Sequence, residues 1–277
     1  MRLSHGIPIL SVLLISSAAA HDTWLVASKN VVTLNEPVRI ALATGEVFPT
    51  SEAAAKPERV AGFVAAHGEA SRKIEGYAVE GNDLAATVSF DQPGAHIVGI
   101  SLHANFIELE PQHFEEYLVD EGATDALEKW RKRENPAQPA RELYTKHAKT
   151  LIEVGNSPTA GGFARPLGHT LEIVPLNEAF ACSVGSAQRF RVLFEGKPAA
   201  GVRVSAGHEG LPAHTFVEHA MTNADGEVTF KLGRAGLWFL RTHVIRPLPE
   251  PEAGPTDPQG RKADWESFWA SVTFRVR

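Results

Sequence analysis

A single cysteine, Cys182, stands among the 277 residues of this chain. No internal disulfide can form, and a Cys-based zinc or redox motif is excluded. Basic residues are in the minority: 27 Lys and Arg face 33 Asp and Glu, for a formal charge of -6. That balance offers no positive field to neutralise a phosphate backbone, which argues against nucleic acid as a partner and against anionic membrane surfaces. No segment after the first twenty residues keeps an apolar run of the ~20 residues a spanning helix needs. Also absent are a Gly-x-Ser-x-Gly nucleophile elbow, a Gly-rich phosphate loop and a His-Glu-x-x-His zinc motif. A catalytic role therefore has no positive support, and stability must come from a packed core alone.

The chain opens MRLSHGIPILSVLLISSAAA. Arg2 supplies a positive start, Ile7 to Ile15 a short apolar stretch, and Ala18-Ala19-Ala20 the small residues that signal peptidase requires. Residues 1–20 are predicted to be a signal peptide cleaved between Ala20 and His21, giving a periplasmic or secreted protein. The apolar stretch is too short for an uncleaved membrane anchor.

Cleavage there makes His21 the first residue, followed by Asp22, Thr23, Trp24 and Leu25. An N-terminal histidine carries two nitrogen donors, the α-amine and ring Nδ1, which can close on one metal as a six-membered chelate. Both lose their protons at modest cost near neutral pH. A second imidazole would complete the three-nitrogen histidine brace that suits Cu(II), with Ni(II) next. The competing interpretation is a histidine exposed by chance, or packed beside Trp24.

Past the start, short β-branched runs alternate with turns. Val31–Leu34, Val38–Ala43, Arg59–Ala66, Asp83–Phe90 and Ala95–Leu102 are separated by Asn35-Glu36-Pro37, Gly81-Asn82 and Pro93-Gly94, the grammar of a sandwich. From Pro111 apolar residues recur at three and four: Phe114, Tyr117, Leu118, then Ala126, Leu127, Trp130, then Leu143, Tyr144, His147, Ala148, Leu151 and Ile152. That period predicts helix. Strand runs resume from Leu171, with hairpin signals at Gly196-Lys197-Pro198 and Asn223-Ala224-Asp225-Gly226. The expected fold is mainly β: two immunoglobulin-like or transthyretin-like sandwich modules, 21–110 and 169–277, with a helical insert over 111–154 and a linker over 155–168. Phe90–His103 and Phe230–His243 each run from Phe through a glycine turn into an apolar strand ending in His, a weak internal repeat.

The start HDTWL, the pair Gly45-Glu46, and the segments FIELEPQHFEEYLVDEG, RELYTKHAKTLIEVG, TNADGEVTFKLGRAGLWFLRTH and ADWESFWASVTF resemble the bacterial exported family catalogued as domain of unknown function 4198. The resemblance covers nearly the whole chain after residue 20. It implies sandwich modules with an inserted helical segment, and a label of periplasmic nickel or cobalt uptake component. Thr23 stands where the family usually has an aromatic residue, a departure that touches packing more than metal ligation.

Partners for His21 are sought among the other histidines and nearby carboxylates. His243 ends a strand and corresponds to a histidine in the family's pattern; the alternative is a structural histidine bonded to a backbone carbonyl. His103 is the matching residue of the first module. Asp22 and Glu46 are candidate carboxylates, as direct ligands or as groups that orient a ligating imidazole. His208, His214 and His219 crowd into twelve residues at spacings that match no zinc motif, and read as a solvated hairpin loop. His147 reads as a packed core histidine, and Trp265, Phe268 and Trp269 as core or as a platform for a sugar or metallophore.

Three functions follow. The first is a periplasmic accessory protein that binds nickel, cobalt or copper for uptake or handling, meeting a metal ion or complex and a membrane transporter or receptor. The second is a metal-free module that binds carbohydrate, metallophore or protein. The third is a copper histidine-brace oxidoreductase. Export to a bacterial periplasm is expected to yield a chain beginning at His21; its intact mass checks the cleavage, and a mass retaining residues 1–20 contradicts it.

Overall fold

The computed structural model describes residues 21–155, 162–177, 182–249, 256–257 and 259–277. The predicted signal peptide, and residues 156–161 of the predicted linker, lie outside them. The first strands are β1 (Asp22–Ala27), β2 (Val31–Val32), β3 (Val38–Gly45), β4 (Val60–His67), β5 (Ala70–Lys73), β6 (Ala78–Glu80), β7 (Asp83–Val88), β8 (Gly94–Leu102) and β9 (Asn105–Leu109). Two helices follow, α1 (Pro111–Asp120) and α2 (Thr124–Arg131), and then β10 (Ala140–Val154). The remainder is β11 (Leu171–Pro175), β12 (Ala187–Phe194), β13 (Lys197–Pro198), β14 (Arg203–His208), β15 (Glu218–Met221), β16 (Glu227–Lys231), β17 (Gly236–Pro247) and β18 (Trp265–Val276).

The fold is mainly β, in three sheets. A ten-stranded sheet runs β15-β14-β17-β18-β10-β8-β4-β5, with β2 and β9 also paired to β10. A four-stranded sheet, β1-β3-β7-β6, covers one end of it, and a second, of β11, β12, β13 and β16, covers the other. Leu25, Ile40, Leu42, Leu84, Phe63 and Ile100 fill the first sandwich. Ile173, Phe190, Val192, Phe230, Leu240 and Phe274 fill the second. Both cores thus lean on one continuous sheet.

Where one face of a strand meets solvent, the sequence alternates with it. In β12, Gln188, Phe190 and Val192 are buried while Ala187 and Arg189 are exposed, the two-residue period of a half-buried strand. At the end of β12, Glu195 and Gly196 take φ of 52° and 75° and Phe194 pairs with Lys197, a two-residue turn of the kind that follows strand twist.

Residues 140–154 correct the helical expectation, because helix ends at Arg131 and β10 is a strand of 15 residues. Its first nine register residues run parallel to β18, Glu142 opposite Trp265, and its last four antiparallel to β8. A strand covered on both faces loses its two-residue alternation, so polar residues are sealed in with apolar ones: Lys146, His147, Lys149 and Thr150 are all buried. Spacings of three and four in this run are a by-product of double burial. His147 is buried as expected, its Nδ1 2.9 Å from Ser101 Oγ. Trp265, Phe268 and Trp269 are buried on β18, which removes the surface-platform alternative.

Lys149 and Glu172, each 1% exposed, form an ion pair of 2.9 Å that fastens β11 to β10. The Glu172 carboxylate also accepts the amides of Leu167, Gly168 and His169. Burial opposes its charge, but Lys149 and the Leu167 amide outweigh it and hold its pKa below 4.5.

Because the sheet is shared, Leu42→Ala in one core and Phe190→Ala in the other are expected to lower the midpoint of one common unfolding transition, each by about 3–5 kcal/mol of stability. Urea denaturation followed by tryptophan fluorescence and circular dichroism checks this; two separable transitions would contradict it.

Candidate metal centre

Strand β1 pairs antiparallel with β3, Asp22 opposite Gly45, which sets His21 across from Glu46. Beyond β3 the chain folds back over 46–52. A Cβ at Gly45 would lie 2.7 Å from Thr50 O and 3.2 Å from Glu52 Oε1, so the loop closes this tightly only over glycine. Glu52 N–H donates to Thr44 O at 2.8 Å, and Glu46 N–H donates to Glu52 Oε1 at 3.0 Å. Phe48, in the middle of the loop, is buried against Trp24 and Phe239 at ring distances of 5.3 and 4.6 Å. The two carboxylates are held by sheet register, by backbone bonds and by an aromatic anchor.

His21 Nε2 lies 3.3 Å from Glu52 Oε2 and 3.7 Å from Glu46 Oε1. One ligand atom from each residue falls within 4.8 Å of the others. Among the described residues no other three His, Cys, Asp or Glu side chains converge in this way. Two carboxylates so close repel one another unless a cation sits with them, and an imidazole with two carboxylates is a donor set for a divalent transition metal. The two nitrogens of an imidazole point to opposite edges of the ring. Because Nε2 faces the carboxylates, the α-nitrogen with Nδ1 is a separate arrangement that a single ion cannot share.

Of the residues picked from sequence, Glu46 meets His21 and three others go elsewhere. Asp22 turns to Arg241, whose Nε is 3.2 Å from its carboxylate. His243 is buried in β17, with Nε2 2.6 Å from the Tyr117 hydroxyl and its ring 4.3 Å from Trp269; burial pushes its pKa down to about 4. It serves the interior and stands outside the His21 group. His103 is exposed after β8, its amide donating to Arg59 O at 2.7 Å. The repeat does not set these two histidines in equivalent places. Glu52 carries no motif; its only sequence signal is that of a second Glu six residues after Glu46, across a proline turn. The hairpin-loop histidines diverge: His219 Nδ1 faces Ser205 Oγ at 2.8 Å and His208 Nδ1 faces Glu209 O at 2.8 Å. His214 Nε2, in contrast, lies 3.6 Å from Glu46 Oε2.

The family model described as Domain of unknown function (DUF4198) matches residues 18–246, taking in β1, the 46–52 loop and His214. The chain belongs to the DUF4198 family. No curated protein matches it. Among solved structures, the D0-D1 domain of intimin is 11% identical, with 91% of this chain and 97% of that one covered at a TM-score of 0.22. An Escherichia coli alpha-2-macroglobulin fragment spanning domains MG0-NIE-MG1 is 12% identical, with coverages of 87% and 94% and a TM-score of 0.21. Murine CEACAM1b is 8% identical, with coverages of 92% and 100% and a TM-score of 0.20. Overlaps this loose carry no chemistry to the DUF4198 chain.

Beneath the His21 group the DUF4198 protein buries a chain of charges. Lys146 Nζ donates to His21 O at 2.6 Å, and burial pushes its pKa down to about 8 against the pull of Asp22. Arg241 joins Asp22 to Glu121, which accepts its Nη1 at 2.7 Å. Further in, Glu142 is 2% exposed, with the Ser267 and Tyr117 hydroxyls on Oε1 and no hydrogen-bond partner for Oε2. Burial raises its pKa from 4.5 to about 7. Between those values the folded protein binds the extra proton, so this group's contribution to stability is full below pH 4.5 and is lost as pH rises through 7. Glu142→Gln is therefore expected to gain stability relative to wild type between pH 5 and 8, by a few kcal/mol at about 1.4 kcal/mol per pKa unit. Denaturation midpoints at the two pH values check it; a pH-independent difference would contradict it.

Proposed function

We propose that this DUF4198 protein is an exported accessory protein that binds nickel, cobalt or copper for uptake or handling and passes it to a membrane transporter or receptor. The observation that carries this reading is the imidazole of His21 held within 4 Å of two carboxylates, Glu46 brought by sheet register and Glu52 by the loop that closes over Gly45. Export is part of the same proposal, with His21 as the first residue of the processed chain. No helix among the described residues is long and apolar enough to cross a membrane. The lone thiol adds nothing to the donor set: Cys182 is buried and its pKa is pushed up to about 12. Mixed nitrogen and oxygen donors rank the divalent metals by the general affinity order, so supply in the compartment decides occupancy.

The test uses protein exported to the periplasm, with competitive titration by Cu(II), Ni(II) and Co(II) salts. His21→Ala is expected to abolish binding, and Glu52→Gln to weaken it by at least about 10-fold. A variant with one alanine inserted before His21 blocks the α-amine chelate and keeps every side chain. Retained affinity there assigns the ion to Nε2 and the carboxylates, and lost affinity assigns it to the α-amine and Nδ1. Equal binding by wild type and His21→Ala, or no binding by either, overturns the proposal and favours the metal-free module.

A further inference from the structure

The loop between β14 and β15, residues 209–217, comes from the second sandwich but reaches over the first. Its base is anchored. Phe216 packs 6.0 Å from Phe239 and 5.1 Å from His219, and the Arg241 guanidinium sits 4.6 Å over its ring. Its tip carries His214, with 57% of the side chain exposed and Nε2 3.6 Å from Glu46 Oε2. Glu46 presents its other oxygen, Oε1, to His21 at 3.7 Å. One carboxylate is therefore flanked by two imidazole nitrogens, from opposite modules. Glu46 and His214 also share the lining of a small cavity of about 10 Å³ with Asp22, Phe48, Leu211 and Phe216, about the room of a single water.

We propose that His214 is a further ligand of the His21, Glu46 and Glu52 site, and that metal binding draws the 209–217 loop down as a strap joining the two sandwiches. This rests on the function proposed above and adds to it how the loaded protein is told from the empty one: loop position reports occupancy to whatever partner takes the metal. The addition changes a set of one nitrogen and two oxygens into two of each, which moves preference toward the later metals of the series. His214 touches the site only through Glu46 and stands outside the group whose ligand atoms fall within 4.8 Å of one another, so completing the set takes a movement of the exposed tip that carries it. His208 and His219 stay with Glu209 O and Ser205 Oγ, so one histidine of the three makes the contact.

The experiment compares wild type, His214→Ala, His21→Ala and His103→Ala, all exported. Each is titrated with Ni(II) and Co(II) chlorides and followed by hydrogen–deuterium exchange with and without metal. Expected in wild type is metal-dependent protection of 209–217. His214→Ala should weaken binding about 10- to 100-fold and lose that protection, while His103→Ala matches wild type. His21→Ala should lose both. If His214→Ala binds as tightly as wild type and keeps the loop protection, the strap is wrong while the metal-binding function stands. If wild type binds neither of these metals nor Cu(II), both fail together. Circular dichroism of each variant separates these outcomes from misfolding, and Co(II) visible absorption gives an independent readout: loss of a nitrogen ligand shifts the bands in His214→Ala alone among the metal-binding variants.

Discussion

Three carbonyls along the outer edge of β1 depend on side chains from another part of the chain. Its inner edge is paired with β3, but the oxygens of His21, Thr23 and Leu25 accept hydrogen bonds from Lys146, Ser271 and Thr273, at 2.6, 2.7 and 2.5 Å. Lys146 lies on β10, and Ser271 and Thr273 on β18. An unsatisfied buried carbonyl costs about 1–3 kcal/mol, so β1 is held in one register over the junction of β10 and β18. Everything at the candidate site inherits that register: His21 meets Glu46 because Asp22 meets Gly45. The parallel pairing of β10 with β18 is what makes that junction exist.

The same junction explains the buried charges. A strand covered on both faces cannot send its polar side chains to water, so Glu142, Lys146 and Lys149 must find partners inside. Lys149 does so with Glu172. Lys146 takes the His21 carbonyl, and Arg241 takes Asp22 and Glu121. The outcome is a cationic floor under a carboxylate-rich mouth: Lys146 and Arg241 below, Glu46 and Glu52 above. Asp22, which looked available as a ligand, is already committed to Arg241.

Much of the fold was legible. The mainly β class, the first helices after Pro111 and the hairpin turns follow from period and turn chemistry, which are local properties. The run 140–154 misled because a doubly buried strand has no alternation to show, and chance spacings of three and four then resemble a helix. At the site, His21 and Glu46 stood out by motif. Glu52 and His214 did not, since one lies across a loop whose closure depends on Gly45 and the other is nearly 200 positions away by sequence. His243 and His103 were paired by a repeat in the sequence, yet one sits inside a strand against Tyr117 and the other in solvent after its strand.

By itself the sequence determined the period-two strands, the turns, the single cysteine with no disulfide partner and the presence of a histidine directly after a run of small residues. These depend on neighbours within a few positions, where backbone sterics and solvent contact leave a readable pattern. Tertiary structure alone decided that two sandwiches share one sheet, that His21 faces Glu46 and Glu52 through Nε2, and that His214 arrives from the other module. Those relations come from strand order and register between segments far apart in the chain. A one-residue slip in β1 would turn its side chains to the opposite face, with no change of sequence to announce it.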